Sequence, residues 1–455
     1  MRHVAFNLLA ARTLRQVSYG CMAIILPIYW HEEGLSVGVI GLLFTLALLG
    51  SSTLTIVLAR FVDRLGRRRL LVIVSLLWFL TAFLLFTRQP AWLAVLAILG
   101  SVSPNGKEVG PFLAVEQAAL TRLYAGQSIV NVYAWFNLIG YTSTALGALL
   151  ASLFGLAKSG VISGLRGSTG GSAGGSGPTC SAFGTGPAHL AKGLAGHATH
   201  AADGNLGVFH AIIIGYALVG LAQFILYALL PREIEMTPKQ DAPHGGGQKQ
   251  LNAEEKKHYV PEPPVRRLVY IFSALFAMDA MGTGFVVQGL LVAWFQARYG
   301  LDITQIGLIF FGTNVLAAIS SLAAARIAKS FGLLNTMVFT HLPSNILLII
   351  MPLMPTARLA VGVLLLRNLF SQMDVPTRQA YTMAMVKPED RAYMSAWTNG
   401  VRHYGTGIAP FFSGAMMVTA ATGLPFFIGG TLKSIYDLML YMIFRRTPLE
   451  HSDSR

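Results

Sequence analysis

The chain has 455 residues, of which 54% are hydrophobic and only 12% are charged, and its formal net charge is +14. A soluble protein would carry about a quarter charged residues, so this composition excludes an ordinary soluble domain and indicates a membrane protein. The positive charge does not indicate a nucleic-acid partner, because 22 of the 34 Lys and Arg lie in segments placed on one side of the membrane. An unequal distribution of Lys and Arg between the two sides sets the orientation of a membrane protein in the bilayer.

Twelve apolar runs approach the length of about 20 residues that crosses a bilayer as a helix. They predict an all-α membrane protein with twelve transmembrane helices. Numbered as spans 1 to 12 in chain order, the runs cover residues 4–30, 37–58, 70–88, 92–114, 129–154, 207–230, 268–296, 304–324, 333–353, 357–377, 395–420 and 424–444. Span 1 has no small-residue cleavage site after it, so we expect it to insert uncleaved.

The turn between spans 2 and 3, ARFVDRLGRRRLL at residues 59–71, contains five arginines. Positively charged turns stay in the cytoplasm, so this turn fixes the orientation of the chain. We therefore expect a multi-pass protein in the lipid bilayer of the cell (inner) membrane. Both the N-terminus and the C-terminus are expected to be cytoplasmic.

Two segments lie outside the spans. Residues 156–206, rich in Gly and Ser, predict a flexible outer loop, because such a composition buries too little apolar area to order itself. The polar residues 231–267 predict a cytoplasmic linker. The expected domains are an N-terminal six-helix bundle at 1–230, this linker, and a C-terminal six-helix bundle at 268–455.

An internal repeat supports two related halves. Residues 35–66 align without a gap to residues 301–332, an offset of 266, and eight of the 32 positions are identical. The same offset aligns Glu108 with Asp374. A slightly different offset aligns Ala134, Trp135 and Asn137 with Ala396, Trp397 and Asn399. Spans 2, 4 and 5 of the first half thus have counterparts in spans 8, 10 and 11 of the second.

The loop ARFVDRLGRRR resembles the signature G-x-x-x-D-R-x-G-R-R between spans 2 and 3 of the major facilitator superfamily. The matching residues are Asp63, Arg64, Gly66, Arg67 and Arg68. Ala59 replaces the first glycine, and the second copy, ARIAKSFGLLN, has Lys329 in place of the aspartate. The resemblance implies a secondary transporter that rocks two bundles around a central site.

The resemblance also implies a conformational latch in this loop. Asp63 would pair with the loop arginines and with the N-terminal end of span 11, and so hold the cytoplasmic side closed when the outer side is open. The attraction between a helix N-terminus and an anion contributes a few tenths to about 1 kcal/mol. A contribution of this size shifts the balance between two conformations whose free energies differ by a few kcal/mol. The alternative is that the arginines only set topology, but topology requires neither the aspartate nor the glycine.

Ionisable residues inside spans cost about 2.5–3.5 kcal/mol on insertion scales, so each requires a partner or a function. Span 1 contains Arg15 and span 7 contains Asp279. Spans 1 and 7 line the cavity in the family that the chain resembles, so we expect the two side chains to face each other near the midplane. Separating such a pair favours protonation of the aspartate, which provides a basis for proton coupling. The alternative is a permanent salt bridge between the halves.

Spans 4 and 10 each combine carboxylates with helix-breaking residues, a pattern typical of binding sites beside a cavity. The candidates are Glu108 in span 4 and Arg367 and Asp374 in span 10. An equal alternative places Glu108 and Asp374 at the cytoplasmic rim as braces between helices. Glu116 and Arg378, further along the two spans, are expected to be such braces.

Spans 11 and 12 contribute three further charged candidates. Arg402 in span 11 has no carboxylate near it in sequence and is expected to hold an anionic substrate or a carboxylate of another span. Lys433 and Asp437 in span 12 lie one helical turn apart, so we expect them to neutralise each other.

The chain contains neither a His-Glu-x-x-His zinc motif nor a phosphate-binding loop, so we do not expect an enzyme, a cofactor or a metal. We expect a monomeric, proton-coupled secondary transporter of a small-molecule substrate. Export of a small organic compound is favoured. Proton-driven uptake of a metabolite and a transport-inactive membrane sensor of the same fold are the alternatives.

Overall fold

The computed structural model describes most of the predicted spans. It covers residues 2–87, 89–99, 102–107, 112–113, 116, 129–158, 202–231, 262–387, 390–418 and 423–447. Regular structure over these residues is entirely helical, which confirms the expected fold class. Most of the loop 156–206 and of the linker 231–267 lies outside the described residues.

The helices follow the predicted spans closely. In the first half they are Arg2–Glu32 (span 1), Val37–Leu65 (span 2), Arg67–Ala82 with the 3-10 turn Phe83–Phe86 (span 3), Pro90–Ile98 (the start of span 4), Ile129–Lys158 (span 5) and Ala202–Ala228 (span 6). In the second half they are Pro263–Phe285 and Gln288–Tyr299 (span 7), Ile303–Phe331 (span 8), Leu333–Ile350 with the 3-10 turn Met351–Leu353 (span 9), Ala357–Ser371 and Asp374–Ala384 (span 10), Arg391–Val418 (span 11) and Leu424–Phe444 (span 12).

Among the described residues, eight helices are long and apolar enough to cross a membrane, and they correspond to spans 2, 3, 5, 6, 7, 8, 9 and 12. Spans 1 and 11 form helices of 31 and 28 residues that carry arginines in their middle. The total of twelve membrane crossings stays a prediction.

The helices of spans 2 and 8 reproduce the sequence repeat. Val37–Leu65 and Ile303–Phe331 each have 29 residues and are related by the same offset of 266. Both helices are followed by a glycine with positive φ, 84° at Gly66 and 81° at Gly332. Glycine adopts this backbone conformation without the steric cost that a Cβ imposes, so the two turns are built alike.

The packing of the first half recurs in the second. Span 1 packs against spans 5 and 6, and span 7 packs against spans 11 and 12. Span 3 packs against span 6 as span 9 does against span 12. Between the halves, span 2 lies along span 11 and span 5 along span 8, which are equivalent pairs in the repeat. The domain limits at residues 230 and 268 themselves stay a prediction.

Spans 7 and 10 are each interrupted. Span 10 changes direction at Gln372 and Met373, between its two helices. Pro376 lies in the first turn of the second helix, where a proline interrupts no intrahelical hydrogen bond. The predicted breakers of span 4, Gly110 and Pro111, lie outside the described residues.

The two halves meet closely on the face that carries the turns at Gly34 and Gly300, which we call the outer face. A Cβ on Gly41 of span 2 would lie 2.5 Å from the carbonyl oxygen of Pro410 in span 11. A Cβ on Gly307 of span 8 would lie 2.6 Å from the backbone nitrogen of Ser152 in span 5. Glycine at both positions lets the backbones touch, and the outer face is closed.

Candidate functional site

The first half contains a buried ion pair between Arg15 of span 1 and Glu116. Arg15 Nη2 lies 2.7 Å from Glu116 Oε2. Arg15 Nη1 donates hydrogen bonds to the hydroxyl of Tyr227 at 2.8 Å and to Oε1 of Gln223 at 3.2 Å. The Tyr227 hydroxyl in turn donates to Glu116 Oε1 at 2.6 Å.

This cluster has the properties of a brace. Arg15 and Glu116 are both fully buried, and both carboxylate oxygens of Glu116 accept a hydrogen bond. A buried ion pair persists only when such additional hydrogen bonds satisfy its lone pairs. Glu116 therefore joins span 1 to Tyr227 of span 6, and its expected role as a brace at the cytoplasmic rim stays a prediction.

The expected direct pair between Arg15 and Asp279 is wrong. Arg15 takes its carboxylate partner from its own half, and Asp279 takes its cationic partners from the second half. Arg15 and Asp279 thus each have their ion-pair partners within their own half. Spacing along the chain contains no information on which neighbouring helix supplies the partner of each residue.

Asp279 is the centre of a second cluster, in which four basic side chains from four spans surround one carboxylate. Lys433 of span 12 donates to Oδ1 at 2.5 Å. Arg378 of span 10 lies 3.3 Å and Arg402 of span 11 lies 3.6 Å from Oδ2. His341 of span 9 has its Nε2 at 3.9 Å from Oδ1. Asp279 is thus shared between several partners.

His341 links Asp279 to a further carboxylate. Its Nδ1 lies 3.0 Å from both carboxylate oxygens of Asp437, and Asn345 donates to Asp437 Oδ2 at 2.8 Å. The expected pairing of Lys433 with Asp437 is therefore wrong, because the two side chains reach different spans. Sequence reasoning missed His341, although a single histidine inside the apolar run of span 9 is itself a signal for a functional residue.

Asp374 begins the second helix of span 10 and pairs with Arg378 one turn later at 2.5 Å. A carboxylate in the first turn of a helix is favoured by the helix dipole. Arg378 was expected to be a brace at the rim, yet its guanidinium bridges Asp374 and Asp279 inside the cluster. The helix that begins after the break in span 10 thus places the carboxylate of Asp374 and the guanidinium of Arg378 in the charged cluster of the second half.

The remaining polar groups lie where the halves approach each other. Gln372, at the break in span 10, accepts hydrogen bonds from Lys107 Nζ and from the hydroxyl of Tyr141 of span 5, both at 3.1 Å. Arg402 and Arg367 are partly exposed, unlike Asp279. Glu108, which follows Lys107 in the chain, lies outside the described residues.

The predicted latch is described only in part. Gly66 has a positive backbone φ of 84° and immediately precedes the span 3 helix. Arg68 donates a hydrogen bond of 2.6 Å to the carbonyl of Ala228, at the C-terminal end of the span 6 helix, where cations are favoured. Arg67 is partly buried. The side chains of Asp63 and Arg64, in the last turn of the span 2 helix, lie outside the described residues, so the latch stays a prediction.

Helix packing that recurs in the two halves, buried charges in each half and close crossings between the halves at one face fit the class of secondary transporters. The sequence pattern of the Major Facilitator Superfamily matches residues 8–410, and the chain belongs to this family. The expected family is thereby confirmed, and with it a multi-pass membrane protein whose family transports solutes.

Similar proteins are known from sequence and from structure. The chain is 24% identical over 450 residues to the Uncharacterized membrane protein YJR124C of Saccharomyces cerevisiae, covering 95% of this chain and 92% of the yeast protein. The nucleoside transporter NupG matches with a TM-score of 0.65 at 14% identity, covering 97% of this chain and 99% of NupG. The inward-open xylose transporter XylE of E. coli matches with a TM-score of 0.64 at 12% identity, covering 98% of each chain. At these identities the solved structures show the shared fold alone.

Proposed function

We propose that the protein is a proton-coupled secondary transporter that moves a small organic solute by alternating access, with Asp279 as the coupling site. The observation that carries this proposal is the sharing of one buried carboxylate among Lys433, Arg378, Arg402 and His341. These partners lie on four different spans, so a relative movement of the spans changes the charge around Asp279. The cations favour the ionised carboxylate while they surround it, and their separation from it during a cycle favours protonation.

Arg402 is the group that connects Asp279 to the solute. It makes the longest of the guanidinium and ammonium contacts to Asp279, at 3.6 Å, and its side chain is 23% exposed, against 5% for Lys433 and 9% for Arg378. When a proton neutralises Asp279, Arg402 loses an electrostatic partner and becomes available to another group. Proton binding on one side of Arg402 and solute binding on the other are thereby coupled.

His341 extends the proton path within the second half. Because its ring lies between Asp279 and Asp437, an imidazole can accept a proton from one carboxylate and pass it to the other. The direction of solute movement follows from the sense of this coupling. The sequence alone favours export of a small organic compound, whereas coupling through Arg402, in which proton and solute binding favour each other, supports the alternative of proton-driven uptake.

The test uses the purified full-length protein. A thermal-shift screen against metabolites and drugs first identifies a solute that binds, and proteoliposomes then report solute-driven proton flux with a pH-sensitive dye. We expect Asp279→Asn to abolish the proton flux and to retain exchange of labelled against unlabelled solute. Glu262→Gln, which neutralises an exposed carboxylate at the start of the same span, serves as the matched control and should keep both activities.

Two results would contradict the proposal. Full proton-coupled flux in Asp279→Asn would show that Asp279 is structural. Binding of a solute without any exchange across the liposome membrane would instead identify a sensor of this fold.

A further inference from the structure

Three cationic side chains near the junction of the halves have few acceptors. Among the described residues, the guanidinium of Arg402 makes no hydrogen bond, and its Nη1 is buried without a partner. Arg367 of span 10 makes neither a hydrogen bond nor an ion pair within the described part of the chain, and its Nε is likewise buried without a partner. Lys107, from the first half, donates to the neutral amide of Gln372 and lies over the Tyr141 ring, and it has no carboxylate partner among the residues that the structure describes.

The carboxylates that the structure describes in this region already have partners. Asp279 and Asp374 are held by Lys433 and Arg378, and Asp437 by His341 and Asn345. Lys107, in contrast, lies within the repulsive field of four cations of the second half, namely Arg367, Lys433, Arg402 and Arg378. Unpaired charge inside a membrane protein is costly unless a ligand or a counter-charge compensates it.

We propose that Arg402, Arg367 and Lys107 bind the acidic group of the transported solute, and that this solute is a small organic anion with a carboxylate or a phosphate. This inference rests on the proposed transport function and names its substrate class. Guanidinium groups present several donors in one plane, which matches either acidic group. Lys107 belongs to the first half and the two arginines to the second, so an anion between them draws the halves together.

The same arrangement determines the sense of coupling. Asp279 faces Lys433, Arg378, Arg402 and His341, and its negative charge competes with a bound anion for Arg402. A proton on Asp279 removes that competition, so the anion and the proton favour each other's binding. They then cross the membrane together, and a proton gradient directed into the cell drives uptake, the alternative to export.

The test compares anions with neutral molecules of similar shape. The purified protein is titrated with benzoate and benzamide, glucuronate and glucose, AMP and adenosine, and with inorganic phosphate, while its melting temperature is followed. We expect at least one anion to raise the melting temperature and its neutral counterpart to have no effect. Stabilisation by benzoate or glucuronate would identify a carboxylate as the bound group. Stabilisation by AMP or inorganic phosphate would identify a phosphate.

Substitutions locate the effect. Arg402→Gln and Arg367→Gln should each weaken the anion's apparent affinity at least tenfold, whereas Lys329→Gln, which removes an exposed cation on span 8, should not. If either arginine variant does not fold, Lys107→Gln tests the same site from the other half. The proposal is wrong if no anion stabilises the protein, if the neutral partner stabilises it equally, or if the variants bind the anion as the unchanged protein does.

These outcomes are independent of the proton-coupling test. A neutral solute that is exchanged with proton flux would leave the proposed function intact and overturn the anion site. Anion binding that depends on Arg402, without any proton flux, would leave the anion site intact and overturn the coupling role of Asp279.

Discussion

The two buried clusters use equivalent spans with opposite charges. In the first half a cation on span 1 pairs with the carboxylate of Glu116, and in the second half a carboxylate on span 7 contacts Arg378 of span 10. Arg15 has a carboxylate partner that is saturated with hydrogen bonds, whereas Asp279 has more basic neighbours than it can fully satisfy. The duplicated fold thus provides one half with a carboxylate in a saturated pair and the other with a carboxylate that several basic side chains share.

The saturated pair leads to a stability prediction. Glu116→Ala removes the carboxylate and leaves the guanidinium of Arg15 buried without its charge partner, so we expect a loss of about 3–5 kcal/mol. Thermal unfolding in detergent, followed by size-exclusion chromatography, measures the change. Replacing both residues, as Arg15→Met with Glu116→Met, should recover much of the loss, because no charge then stays buried. A melting temperature unchanged in Glu116→Ala would show that the pair stabilises nothing.

At the residue scale, the sequence identified charged residues but not their partners. Asp279 and Arg402 stand out because charges are rare in apolar runs. Their contacts depend on which spans adjoin, and the chain separates Asp279 from Lys433 by 154 positions. Spacing misled the interpretation of Lys433 and Asp437, since residues four apart on a helix share a face but are free to contact different neighbours.

At the scale of helices, the closed outer face depends on two glycines at equivalent repeat positions. Gly41 and Gly307 differ by the repeat offset of 266, and each faces a span of the opposite half. Small residues at such crossings allow backbones to pack closely within membranes. The duplicated pair therefore closes the outer face with the same contact made twice.

This contact gives a prediction about conformation. In Gly41→Ala the new methyl group meets the Pro410 carbonyl at 2.5 Å, so the two spans must separate and the outer face should open. Spin labels at His31 and Arg298 on the outer face, and at Arg69 and Lys329 on the opposite face, report the change as distances. We expect the outer distance to increase and the opposite distance to decrease.

A matched control separates this effect from a general effect of alanine. Gly362 of span 10 has no atom within 4 Å of an added Cβ, so Gly362→Ala should leave both distances unchanged. Equal distances in Gly41→Ala and in the unchanged protein would show that the close crossing does not determine which face is closed.

Helix positions were predictable from the sequence because length and hydropathy decide them. The limits of the span 2 and span 8 helices follow the repeat, and Pro376 marked the interruption of span 10. The interruption of span 7 at Val286 and Val287 has no proline to signal it. A proline is not a sufficient signal either, because Pro27, Pro343 and Pro410 lie inside continuous helices.

For the whole molecule, the proposed alternating-access cycle requires that the opposite face closes when the outer face opens. Contacts such as that of Gly41 with span 11 stabilise the state described here. The other state requires its own contacts on the opposite face, where the basic turn at residues 59–71 lies. A latch formed there by Asp63 would stabilise the state with the outer face open.

Asp63→Asn tests this latch. Removing one charge at a helix terminus costs the latched state about 1 kcal/mol, or about a fivefold change in population. We expect the spin-label distances to shift toward the outer-closed state and solute exchange to slow about as much, while affinity changes little because the solute site is not altered. Lys329 occupies the equivalent position of the second repeat, at the offset of 266, so Lys329→Gln is the matched control and should preserve exchange. Exchange at the unchanged rate in Asp63→Asn would leave the arginines of this turn with a role in topology alone.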